Sequence, residues 1–219
     1  MGRKKQFVVV GLGRFGQTVA QELMRLGHEV LGIDTDSKLV AAMADRLTRA
    51  ASADASDEKV LEELGVKQFD AALVAIGENI EGSILATLAL KSVGVKKVWV
   101  KALNESHHRI LDKLKADRII HPEFEMGLRV AQSLDRPEVV DYISLGSDHF
   151  IVEILLKAAL DNTRVGEFKL KCDGKAEVLA LRQGKDVISR PADHVTLREG
   201  NHLVLMGQLD ELRKLADYL

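Results

Sequence analysis

The residues best placed to do chemistry lie near the start of the chain. Val8-Val9-Val10 runs into Gly11-Leu12-Gly13-Arg14-Phe15-Gly16, a G-x-G-x-x-G that follows a hydrophobic strand pattern and opens an amphipathic helical one. The three glycines have separate reasons. Gly11 permits a tight turn, Gly13 lets a pyrophosphate approach the backbone, and Gly16 allows close helix–strand packing. The helix start offers unpaired N–H groups and a positive dipole end to phosphate. Asp34, with Thr35 behind it, ends the next strand pattern about 20 residues on, where a carboxylate accepts hydrogen bonds from ribose hydroxyls and repels a 2′-phosphate. Arg14 stands where the helix dipole disfavours a cation, which suits a charge aimed at phosphate oxygens. The spacing supports nucleotide binding. A glycine-rich packing turn with a capping aspartate, beside a solvated arginine, is the alternative.

Other chemistry-bearing residues fall at the ends of later strand patterns. Asp54-Ala55-Ser56 ends the third, where an adenine edge would lie or a helix would be capped. Ile76-Gly77 follows the fourth at the sheet edge where open α/β sheets bind ligands, and Lys101 ends the fifth, within reach of the same pocket. No catalytic constellation accompanies them. His107 and His108 are adjacent, so on a helix they diverge by about 100° and read as a solvated face rather than a metal pair. Cys172 has no histidine nearby in sequence and reads as inert; Glu123 and Glu125 read as first-turn helix acids.

These residues require elements that hold them at one edge. Apolar runs at residues 7–10, 29–33, 48–52, 71–76, 97–100 and 118–120 alternate with helical patterns at 15–26, 37–44, 56–64, 78–92 and 105–114. Ser56 is the expected N-cap of the third helix. This rhythm predicts a doubly wound parallel sheet with right-handed crossovers. A further amphipathic helix is expected over 123–134, with Met126, Val130 and Leu134 in line, and Asp135-Arg136-Pro137 is the expected boundary. Beyond it the pattern changes to short strands at 150–156, 178–182, 186–189 and 202–206 with a closing helix at 209–215, a small α+β lobe. The expected domains are residues 1–134 and 138–219.

Composition narrows the function classes. A chain of 219 residues corresponds to about one and a half domains. Its 31 basic and 33 acidic residues net −2, which argues against an electrostatically driven nucleic-acid partner. A single cysteine excludes a disulfide scaffold and a cysteine-based zinc site. No apolar stretch approaches the roughly 20 residues needed to span a bilayer, so any membrane connection is expected through a partner.

Gly11-Leu12-Gly13-Arg14-Phe15-Gly16, Asp34, Val74-Ala75-Ile76-Gly77, Val98-Trp99-Val100-Lys101-Ala102, the stretch from Ala116 to Glu123 and Met126-Gly127 together resemble the regulatory subunits of Ktr-type, and the related Trk-type, potassium uptake systems, which are RCK proteins. The resemblance covers essentially the whole chain. It implies a Rossmann-like nucleotide-binding lobe, a crossover helix and a C-terminal regulatory lobe. It also implies a cytoplasmic non-enzyme that assembles as an octameric ring of domain-swapped dimers and docks on a membrane-embedded potassium channel or transporter subunit. ATP would favour the open pore and ADP the closed one, with NAD or NADH as the ligand in Trk-like relatives. By the same resemblance Gly11, Gly13 and Gly16 cradle phosphates, Asp34 holds ribose, Arg14 senses the γ-phosphate, and Glu123 lies at the dimer interface beside a divalent cation. In Lys169-Leu170-Lys171-Cys172-Asp173-Gly174, lysine stands where relatives that bind cyclic di-AMP carry arginine. Lysine lacks the bidentate fork, so that binding is not carried over. A small NAD-dependent oxidoreductase is the alternative from a different class.

Overall fold

A computed structural model describes residues 3–135 and 139–216. Two compact units divide between Pro122 and Glu123. The first is a six-stranded parallel sheet in the order β3-β2-β1-β4-β5-β6. Its strands are β1 (Gln6–Val10), β2 (Glu29–Asp34), β3 (Arg49–Ser52), β4 (Ala71–Val74), β5 (Val98–Lys101) and β6 (Arg118–Ile120). The crossovers are α1 (Arg14–Arg25), α2 (Ser37–Met43), α3 (Glu58–Glu63), α4 (Ile80–Ser92) and α5 (Glu105–Lys113).

The strands are apolar at successive positions because both faces are covered. Val8, Val10, Ile33, Val74, Val98 and Val100 pack with Leu61, Leu90 and Leu111 of α3, α4 and α5. Val9, Val30, Leu73 and Ala75 pack on the other side with Ala20 of α1 and with Val40 and Met43 of α2. The doubly wound sheet expected from the alternation is therefore the one observed. Between β1 and β4 the strand order reverses, and the loops leaving these two strands diverge to open a crevice at their carboxyl ends.

Local capping differs from expectation at one helix. Ser56 does not cap α3; Asp57 does, its carboxylate accepting from the Lys59 N–H at 2.9 Å. The Ser56 N–H and hydroxyl instead donate to Asp54 at 2.9 and 2.8 Å. An aspartate one residue nearer the helix outcompetes the serine, whose donors are drawn to a carboxylate.

The second unit begins within α6 (Pro122–Asp135) and takes in all of that helix but its first residue, whereas the sequence pattern groups it with the first lobe. Part of the expected boundary, Arg136-Pro137, lies outside the described residues. An antiparallel sheet in the order β10-β9-β11-β8-β7 follows. It comprises β7 (Val139–Gly146), β8 (His149–Leu155), β9 (Ala176–Gln183), β10 (Asp186–Ser189) and β11 (His202–Gln208), with α7 (Val165–Cys172) and α8 (Leu209–Ala216). Neither β7 nor α7 is foreseen by the sequence pattern. Residues Val165, Phe168 and Cys172 of α7 and Leu212 of α8 pack on Val152, Ile154, Leu203 and Leu205. On α6 the apolar residues Phe124, Met126, Leu128 and Val130 are at least half exposed.

Candidate nucleotide-binding site

The loop from β1 to α1 is built by three different glycine requirements. Gly11 has φ +92°, a left-handed conformation, and a Cβ there would lie 3.0 Å from the Ala75 carbonyl carbon and the Ile76 nitrogen. At Gly16 a Cβ would run directly into the Gly11 carbonyl oxygen. These two positions are glycine for the protein's own packing. Gly13 is different: its φ is −66° and a Cβ there would meet nothing within 4 Å. Space is left over Gly13, as it must be where a ligand approaches the backbone.

Gly13 is also the N-cap of α1, and it supplies no side-chain acceptor; the first turn carries no acidic residue. The opening N–H groups therefore have neither an intrahelical partner nor a capping side chain, which leaves them for an anion. The loop itself is pinned. The Gly11 N–H donates to the Ile33 carbonyl at 2.8 Å. Asp34 Oδ2 accepts from the Leu12 N–H at 2.6 Å and Oδ1 from the Asp36 N–H at 2.9 Å. Asp34 thus braces the loop while its remaining lone pairs stay available to ribose hydroxyls.

A cleft of about 510 Å³ lies over this loop. Of the residues singled out in the sequence, Gly11, Gly13, Asp34, Thr35, Asp54, Ala55, Ile76 and Gly77 line it. Among the described residues its charged lining consists of Asp34, Asp54 and Glu81, so a 2′-phosphate would meet like charge. The backbone N–H of Ser56, and then its hydroxyl, hold the Asp54 carboxyl below its ordinary range, so the group is an anion at neutral pH.

Gly16 is buried under the loop, and Arg14 is exposed at the head of α1; neither lines the cleft. Lys101 is buried at the end of β5, with Nζ 5.9 Å from the centre of the Phe15 ring and 3.6 Å from where a Gly77 Cβ would stand. Its charge is therefore held beside the Gly77 end of the cleft. Glu123 lies exposed in the first turn of α6, in the other unit. Among the described residues no group of three or more His, Cys, Asp or Glu side chains could hold a metal ion.

Sequence reasoning missed the wall supplied by α4. Asn79 caps that helix, accepting from the Gly82 N–H at 2.9 Å, and Gly82, Leu85 and Ala86 face the cleft from one side of it. Their spacing of three and four residues was a legible signal, since such positions share a helix face. Leu39 of α2 was missed as well.

The histidine reading is corrected in part. His107 is not solvated: it is buried, its Nδ1 accepts from the Leu103 N–H at 3.3 Å, and burial, then the charge of His121, lowers its pKa. It packs inward because α5 lays that flank on the sheet. His108 instead meets His121, with Nδ1 and Nε2 2.8 Å apart. Cys172 is buried and its thiol is pushed up to about 11 by burial, so it stays protonated at neutral pH.

The TrkA-N domain, a known family, matches residues 7–122 of the chain. Ktr system potassium uptake protein A of Bacillus subtilis (strain 168) is 42% identical over 216 residues, covering 98% of this chain and 97% of that protein. Ktr system potassium uptake protein C of the same organism is 36% identical over 211 residues, covering 96% of each. Among solved structures, the GsuK RCK domain superposes with a TM-score of 0.68 at 13% identity over 99% of this chain, which spans about half (48%) of that one. The GsuK channel bound to NAD superposes with a TM-score of 0.64 at 13% identity, covering 96% of this chain and 38% of that one. At this identity the structural likeness concerns the fold.

Proposed function

This chain belongs to the Ktr family of potassium uptake proteins and carries a TrkA-N domain; from that premise we propose that it is a nucleotide-sensing regulatory subunit, not an enzyme, that gates a separate membrane-embedded potassium channel or transporter subunit. The observation that carries the reading is the space over Gly13 at an uncapped helix N-terminus, facing Asp34 across one cleft. Adenine nucleotides suit it: the α1 N–H groups take phosphate, Asp34 takes ribose, and the slot between Asp54-Ala55 and the Gly82–Leu85–Ala86 flank takes the base.

In this reading ATP activates and ADP inactivates. A ligand shifts a two-state assembly only by its differential contacts, and a γ-phosphate supplies one through Arg14. Lys101 adds charge at the Gly77 end. The subunit works as a homo-oligomeric ring, expected as an octamer, with Glu123 and a divalent cation at the dimer interface. Among the described residues no helix is long and apolar enough to cross a membrane. The proposed location is cytoplasmic, at the inner face of the plasma membrane through the pore subunit. NAD(H) is the second reading, since Asp34 serves the ribose of either ligand; the NAD-bound GsuK channel shares the fold.

Thermal-shift titration with ATP, ADP and NADH tests this. ATP and ADP are both expected to stabilise the protein, and Arg14→Ala is expected to narrow the difference between them. Strong stabilisation by NADH with none by ATP or ADP overturns the ATP switch. Mass measurement of the intact assembly with each nucleotide reads the ring size.

A further inference from the structure

The Leu12 peptide groups are held from two sides, and only one of the holders belongs to the ligand-binding residues already described. Asp34 takes the Leu12 N–H. The Leu12 carbonyl oxygen accepts from Gln17 Nε2 at 2.7 Å, and Gln17 is half-buried on the first turns of α1. A carbonyl can only accept, so this contact also determines which way the Gln17 amide faces. Leu12 is fully buried and does not line the cleft, whereas Gly11 and Gly13 on either side of it do.

The Leu12–Gly13 peptide is trans, like every peptide bond among the described residues, so its C=O and N–H point in opposite directions. A carbonyl drawn back toward α1 by Gln17 therefore turns the Gly13 N–H outward. Without that tether the peptide could rotate, because Gly13 has open space on its Cα and glycine resists rotation least. A flipped peptide would present a carbonyl oxygen, which repels phosphate, in place of the donor. Resting on the nucleotide reading above, we propose that Gln17 is a positioning residue for phosphate: it pre-orients the Gly13 N–H and confers affinity for the phosphate part of the ligand while making no contact with the base or ribose.

The test compares adenosine, ADP and ATP by calorimetric titration of the full chain. Gln17→Met keeps the length and removes the donor. It is expected to weaken ADP and ATP about 3- to 10-fold, the worth of one hydrogen bond, and to leave adenosine affinity unchanged. Gln17→Glu places a carboxylate against the carbonyl oxygen. It is expected to weaken ADP and ATP more than Gln17→Met does, because two acceptors then face each other, and to leave adenosine affinity unchanged; a loss no larger than that of Gln17→Met would overturn the proposal. Equal losses for adenosine and ADP in Gln17→Met would mean a structural role only and overturn the proposal, as would unchanged ADP affinity. Absence of binding by the wild-type protein to all three ligands removes the ATP/ADP reading on which the proposal rests, a different outcome from either.

Discussion

The cleft at the switch point and the cavity between α7 and α8 are close in size, about 510 and about 570 Å³, and differ in what surrounds them. The first is bordered by backbone N–H groups at an uncapped helix end and by carboxylates fixed by backbone donors. Beneath the second lie Leu160, Phe168 and Cys172, and at its mouth Glu211 is already paired with Lys214 at 2.8 Å and Lys175 at 3.5 Å. In one, oriented donors await a partner; in the other, much of the charge is matched within the protein and the floor is core. Volume does not separate the two. The direction and satisfaction of polar groups do, and they follow from topology, since a parallel sheet gathers loop ends at one edge while an antiparallel sheet distributes them.

Substitutions can break this contrast. Phe168→Ala, under the second cavity, is expected to cost about 3–5 kcal/mol in denaturant unfolding while ADP affinity at the cleft stays unchanged. A parallel loss of ADP affinity would show that the two regions are coupled. Gly16→Ala forces a Cβ into the Gly11 carbonyl oxygen and should cost about 2–4 kcal/mol together with the loss of ADP binding. Gly13→Ala sharpens the point, because the same chemical change three residues earlier meets no protein atom. Stability should stay within about 0.5 kcal/mol of wild type, while ADP affinity falls about tenfold or more in titration calorimetry. Unaltered affinity would mean that phosphate does not lie over Gly13.

The smallest effect is a pH dependence confined to the first unit. The folded pKa of His107 is lowered, so the unfolded chain binds the proton more readily. Stability is then full above the unfolded value near 6.5 and falls as pH drops from there toward the folded pKa, by at most about 1.4 kcal/mol per pH unit. Thermal unfolding midpoints between pH 7.5 and 5.5 should show the decline, and His107→Gln should flatten it.

The alternation of strand and helix, the phosphate loop and Asp34 were legible from residue order alone, because each is local: a run of valines, a glycine spacing, an acid at a strand end. The α7 helix was not legible, since Val165, Phe168 and Cys172 form its buried face and the cysteine did not register as core. Nor was β7, which begins at Val139, two residues past the expected boundary. Tertiary structure alone decided that Asp57 rather than Ser56 caps α3, that His107 turns into the core while His108 meets His121, and that Gln17 ties the Leu12 carbonyl. The physical reason is shared. What a residue does at a site depends on its neighbours in space, and the crossovers of a doubly wound sheet bring those neighbours from distant parts of the chain.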